Sequence, residues 1–154
     1  MVRRAPQQRG FTYLLLLLSV ALIGTLLATT GRYWAFQQQR SKELELLRAG
    51  LAIRQAIQRY YESSPGSVKR YPARLEDLLE DRRFLAIRRH LRRIPVDPFT
   101  GQADWVLLTA PEGGIQGVHS LSDQESIKQA EFPEGVWLEN GTHYSGWVFA
   151  WRAK

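Results

Sequence analysis

The densest chemistry in the chain is a run of six arginines, Arg82, Arg83, Arg88, Arg89, Arg92 and Arg93, with His90 among them. Closely spaced guanidinium groups suit phosphates and other polyanions, because each presents a planar fork of donors to paired oxygens. The run also reads as the solvated face of a short helix, balanced by Glu76, Asp77, Glu80 and Asp81. A third reading is an inter-subunit patch that meets an acidic face of another copy. Single-strand nucleic-acid sites interleave bases with aromatic rings. Phe84 is the one aromatic residue inside the cluster, which speaks against nucleic acid as a partner.

Other constellations are thinner. The three histidines, His90, His119 and His143, stand at no metal-ligand spacing from one another. The absence of cysteine removes disulfides, thiolate zinc sites and thiol nucleophiles together. His119, Ser120 and Asp123 are close in sequence, but no nucleophile elbow or oxyanion glycines surround them. Gly113-Gly114 is an isolated turn signal, not a phosphate-cradling loop. The residues thus point away from an enzyme and require no cofactor.

The elements that must carry these residues follow from pattern. With 154 residues, 44% of them apolar and 11% aromatic, the chain can build one modest core and is not disordered. Its net charge of +6 is unevenly spread. Bases outnumber acids 15 to 7 from Arg32 to Arg93, whereas acids outnumber bases 8 to 3 from Ile94 onward. Leu46, Gly50, Ile53, Ile57 and Tyr60 recur at helical spacing, widened by Leu47, Leu51 and Tyr61. Glu43, Arg48, Arg54, Gln55 and Arg59 fall mostly off that stripe. No proline interrupts 11–64, and Pro65-Gly66 ends the helix. Leu75 to His90 is expected as one or two short helices, and Asp97-Pro98-Phe99-Thr100-Gly101 as a turn. Strands are expected at 105–109, 117–121 and 146–151, with Val136-Trp137-Leu138 pairing to the last across a loop holding Asn140-Gly141. Helices first and strands after predict an α+β fold, with a small antiparallel sheet packed on the long helix.

Residues 11–31 carry no charge, and as a helix of about 1.5 Å per residue they match a bilayer's hydrocarbon thickness. Ser19, Thr25, Thr29 and Thr30 are tolerable there because a hydroxyl bonds back to a helix carbonyl. A removed secretory signal shares this pattern. The run, however, exceeds an h-region of about 7 to 15 residues, and Ala28-Thr29-Thr30 is a poor cleavage site. With Arg3, Arg4 and Arg9 ahead of the run, the leader is expected in the cytoplasm and the remainder outside.

Arg9-Gly10-Phe11-Thr12 at the head of this run resembles the processing site of type IV prepilins and type II secretion pseudopilins. The likeness extends through Arg32-Tyr33-Trp34, Tyr60-Tyr61, Tyr71-Pro72, Leu75-Glu76-Asp77-Leu78-Leu79 and Leu91-Arg92-Arg93-Ile94-Pro95-Val96-Asp97-Pro98. In order and spacing these are similar to the major pseudopilin from residue 9 to about 109. The resemblance implies a pilin-like fold in three parts: a leader at 1–10, a transmembrane and filament-core helix at 11–31, and a periplasmic domain at 32–154. It implies cleavage after Gly10 by a prepilin peptidase and N-methylation of Phe11. Phe11, Thr12 and position 15 would serve assembly with other pseudopilins or pilins. The chain would then be a single-pass protein of the bacterial inner membrane and a structural subunit of a filament supporting type II protein secretion.

Two positions depart from the family. Leu15 stands where relatives usually carry a glutamate thought to pair with a neighbour's N-terminal amine, and Gly31 where they often carry a kinking proline. The first departure points to a minor or divergent pseudopilin. Major pseudopilins also bind calcium in a C-terminal loop, and the comparable oxygen donors here are Ser120, Ser122, Asp123 and Glu125. The alternative function is a signal-anchored periplasmic binding module, or a DNA-binding minor pilin using the Arg82–Arg93 cluster. Salt-dependent retention on DNA would favour it.

Overall fold

The computed structural model describes residues 9–139 and 141–153. A single helix, α1 (Arg9–Glu62), takes up 54 residues. The chain divides into two compact units, Met1–Gln39 and Arg40–Lys154.

In the first unit the large apolar side chains of α1 from Phe11 to Leu27 are exposed. Phe11 is 71% exposed and even Leu17, the most covered of the run to Leu27, is 49% exposed. Gly10–Leu27 has a mean hydropathy of 2.2, long and apolar enough to cross a membrane. Ser19 Oγ donates to the Leu16 carbonyl and Thr25 Oγ1 to that of Leu22, both at 2.8 Å, so these hydroxyls are satisfied inside their own helix. The helix continues through Gly31. Residues 1–8 of the expected leader lie outside the described residues.

The second unit contains its own core. The expected stripe of α1 is buried at Leu46, Leu47, Ile53, Ile57 and Tyr60, and each fully covered Leu or Ile contributes about 2 kcal/mol. Four strands form one antiparallel sheet: β1 (Val106–Thr109), β2 (Ile115–His119), β3 (Val136–Leu138) and β4 (Trp147–Ala150). Their order is β1-β2-β4-β3, so the chain leaves β2 for the far edge and returns through the middle. Val118 and Val136 both face Phe149 in register. Phe149 in turn lies against α1 at Gly50, where any Cβ would run into its ring. Around it, Trp105 meets Phe149 edge-on, and Tyr144 meets Trp147 in the same way.

The α+β class and the β3–β4 pairing agree with the sequence reading, and the strand positions agree to within about two residues. Asn140, in the loop between them, lies outside the described residues. One expectation is met only in part and one is overturned. Leu75 to His90 is not helical beyond one 3₁₀ turn, Leu75–Leu78. The Asp81 carboxylate accepts the Arg83 backbone N–H at 3.1 Å, and Asp81 and Arg88 pair their backbones, which withdraws those groups from any helix ladder. Glu43, expected off the buried stripe, is 4% exposed. Its Oε1 accepts from the backbone N–H groups of Ile127 and Lys128 and from the Tyr144 hydroxyl, supplying a loop with the acceptor it lacks.

Candidate functional site

At the expected processing point, Gly10 and Phe11 lie within the first turns of α1, and a Cβ at Gly10 would meet nothing within 4 Å. Thr12 follows in the same turn. Leu15, 57% exposed, sits four residues after Phe11 and so on the same face of the helix. Leu15 therefore offers an apolar side chain, not a carboxylate, at this position.

The six arginines do not act as one patch. Arg83 is a structural clamp. Its Nε and Nη2 donate to the two oxygens of Asp81 at 2.8 and 2.7 Å, Nη1 to Ser64 Oγ at 2.7 Å, and Nη2 also to the Tyr60 carbonyl. The guanidinium lies 3.5 Å from the Tyr60 ring centroid, which fastens residues 81–83 to the end of α1. His90 Nε2 stands 3.0 Å from Asp81 Oδ2, and the ring meets Tyr60 edge-on. Burial of Asp81 works to raise its carboxyl, but the hydrogen bonds from Arg83 and His90 and the Arg83 charge outweigh it. The group falls from 3.8 to about 2. The same Asp81 bond holds Arg83 above its ordinary value.

Asp81 and Arg88 close the neck of a six-residue loop, 82–87. Arg82 pairs with Glu80 in solvent, and Arg88 stacks 4.0 Å over the Phe84 ring. Arg89, Arg92 and Arg93 are exposed and make no ion pair among the described residues. With Arg59 and His90 they line a shallow cavity of about 440 Å³. Arg59 is held there by its bond to the His90 carbonyl at 2.7 Å. It was not legible as a member of the cluster because it comes from α1, 31 residues away. Glu43 is expected off the stripe although a local signal is present: it precedes Leu46 and Leu47 by three and four residues, a spacing that puts it on their face.

The serine-rich loop is organised around Asp97. This carboxylate, 0% exposed, accepts the Phe99 N–H at 2.8 Å and the Ser120 hydroxyl at 2.6 Å. Ser120 Oγ in turn accepts from the Ser122 N–H. Asp123 accepts the Ser145 hydroxyl, and Glu125 pairs its backbone with His143. Calcium requires six to eight oxygens around one point. The Ser120 hydroxyl is turned to Asp97, and among the described residues no three acidic or histidine side chains converge on a metal position. The four donors therefore fit a calcium cage poorly as arranged. His119 Nδ1 faces the Ser120 carbonyl oxygen at 3.0 Å, while the Ser120 hydroxyl is directed to Asp97.

Set against family models, curated proteins and solved structures, the chain matches none of them.

Proposed function

We propose that the chain is a structural subunit of a periplasmic pseudopilus or type IV pilus-like filament, pilin-like in fold and anchored in the bacterial inner membrane before assembly. In this reading a prepilin peptidase cuts after Gly10 and Phe11 is N-methylated. Residues before the apolar run stay cytoplasmic, and residues 32–154 face the periplasm in support of type II protein secretion.

The observation that carries the reading is the contrast along α1. Its apolar residues from Phe11 to Leu27 are exposed, while the second unit closes a core of its own. Water is a poor solvent for such a run, so its natural surroundings are lipid or other helices like it. Tyr33 and Trp34, 64% and 71% exposed, follow at the end of the run, where interfacial aromatic belts sit. Assembly would move apolar helices from lipid into a bundle, burying much the same surface, while the outer domains fix the register.

Intact mass of the membrane-extracted chain, made with and without a prepilin peptidase, tests this. The expected product begins at Phe11 with one added methyl group and forms only with the peptidase. An uncleaved chain, or one cut beyond Ala28, would refute it.

A further inference from the structure

Where β4 runs on past the start of β3, the sheet of the second unit has an open corner. The Trp151 N–H donates to the Gln116 carbonyl at 2.9 Å, so the chain after β4 still pairs on the β2 side. Residues of an antiparallel strand turn their main-chain groups to alternate sides, which points those of Ala150 and Arg152 the other way. No strand stands there, because β3 begins only at Val136, opposite Phe149. Gly135, at φ 87°, carries the preceding chain away. Arg54 of α1 takes one of the vacated positions, its Nε donating to the Ala150 carbonyl at 3.1 Å. A Cβ at Gly135 would strike that guanidinium, so glycine is what leaves it room. The Arg152 main chain makes no hydrogen bond among the described residues.

The corner opens into a cavity of about 900 Å³, where Gln55, Gln58, Trp137 and Trp151 join the two arginines. The Arg152 guanidinium lies 5.0 Å from the Trp137 ring centroid, and the Trp151 ring is held 4.9 Å from Tyr61 and 6.1 Å from Tyr71. Glu134 lines the same cavity, yet neither it nor Arg54 nor Arg152 makes an ion pair among the described residues. Two guanidinium groups are thus positioned and left without a counter-ion.

We infer that this corner binds an extended acidic peptide of a partner protein. The peptide adds a short strand in the place β3 leaves empty, pairs with the Arg152 main chain, and sets a carboxylate between Arg54 and Arg152. The inference goes beyond the filament reading and does not depend on it. Strand addition draws affinity from main-chain bonds and selectivity from the pockets beside them. Here the forked donors of two arginines select a carboxylate, and the tryptophans give the strand apolar walls. A lone phosphate or sulfate would occupy a small part of the cavity and leave the sheet edge unpaired. A second copy is a poor occupant, because its acidic stretch at 123–125 is bound into its own fold: Asp123 accepts the Ser145 hydroxyl, and Glu125 pairs its backbone with His143.

The chain has no cysteine, so Gln55→Cys puts a single thiol at the cavity in the full-length protein, held in detergent micelles. Ser67→Cys, exposed near Lys69 and Arg70, is the reference for general attraction of acids to a basic surface. Each protein is equilibrated in a thiol–disulfide buffer with two competing peptide pools. Both begin with cysteine, continue through a few randomised uncharged residues and are amidated at the C-terminus; one pool ends in glutamate and the other in glutamine. Mass spectrometry of the captured disulfides gives the ratio. The expected preference for glutamate is about tenfold at position 55 and under about twofold at position 67. Arg152→Gln should bring the ratio at 55 down to the reference, Arg152→Lys should keep part of it, and Arg93→Gln should leave it unchanged. Unchanged urea midpoints show that these variants fold. N-methylating the peptide main chain should lower capture at 55 by about tenfold. Equal ratios at 55 and 67, or a preference that survives Arg152→Gln, would overturn the carboxylate site. Capture insensitive to N-methylation would overturn the strand pairing and with it the peptide. A dimer linked through position 55 in preference to either pool would assign the corner to a second copy and overturn the inference as well.

Discussion

Replacing Asp81 by asparagine keeps the shape of the loop neck and removes its charge. The folded carboxyl sits at about 2 against an ordinary 3.8, a difference worth about 2 kcal/mol at neutral pH. Loss of the charge also strips Arg83 of its counter-ion. Breaking a fully buried pair costs about 3–5 kcal/mol, but the Arg83 side chain is 22% exposed and keeps its bonds to Ser64 and Tyr60, so the total should be about 2–3 kcal/mol. Because the folded value lies below the unfolded one, the contribution is complete above about pH 4 and drains away as the pH falls towards about 2. Urea unfolding of the full chain in detergent micelles, followed by tryptophan fluorescence from Trp105 and Trp147, measures it. At pH 7 the Asp81→Asn midpoint should fall with an unchanged slope, and the gap from the wild type should narrow on acidification. Equal midpoints at pH 7, or a gap that persists undiminished at the acid end, would refute the clamp.

Two further substitutions probe the core. Gly50→Ala places a methyl group where the Phe149 ring lies, so helix or strand must shift; the same titration should show a loss of about 1–3 kcal/mol despite alanine's better helix propensity. Glu43→Gln keeps an acceptor for Ile127, Lys128 and Tyr144 and should cost under about 1 kcal/mol, whereas Glu43→Ala leaves them unpaired and should cost about 2–3 kcal/mol. Faster amide exchange at Ile127 and Lys128 in the alanine variant alone would locate the damage.

The parts of this molecule that were legible in its sequence are those set by local periodicity. The apolar run, the stripe from Leu46 to Tyr60 and the strand around Trp147 and Phe149 need only residues within a turn or a pleat to declare themselves. The Asp97 turn was legible for the same reason, since Asp97 bonds the Phe99 N–H two residues on. Its second partner was not: Ser120 is 23 residues distant, and that bond turns an expected cation ligand into a support for the turn. The arginine run misled because charge density carries no record of pairing. Arg82 and Arg83 share a type and a neighbourhood, yet one is paired in solvent and the other clamps a loop to α1. Only the contacts with Tyr60 and Ser64, brought in by the fold, separate them.

The same distinction bears on how the proposed filament would choose its register. A helix leaving lipid for a bundle of like helices gains little from apolar burial, so selectivity must come from polar groups, small residues or the domains outside. Ser19 and Thr25 direct their hydroxyls back into their own helix, which leaves them poor candidates for bonds between subunits. Leu15 offers no charge to a neighbour's amine, and an amine buried without one is strongly disfavoured. Within Phe11–Leu27 that leaves Ala21 and Gly24, the latter with open space where a Cβ would stand, as apolar residues small enough to admit a close backbone. In the proposed filament such a subunit would rely on its second unit to specify neighbours, and the uneven charge of that unit, basic to Arg93 and acidic beyond, would supply the orientation that Leu15 cannot.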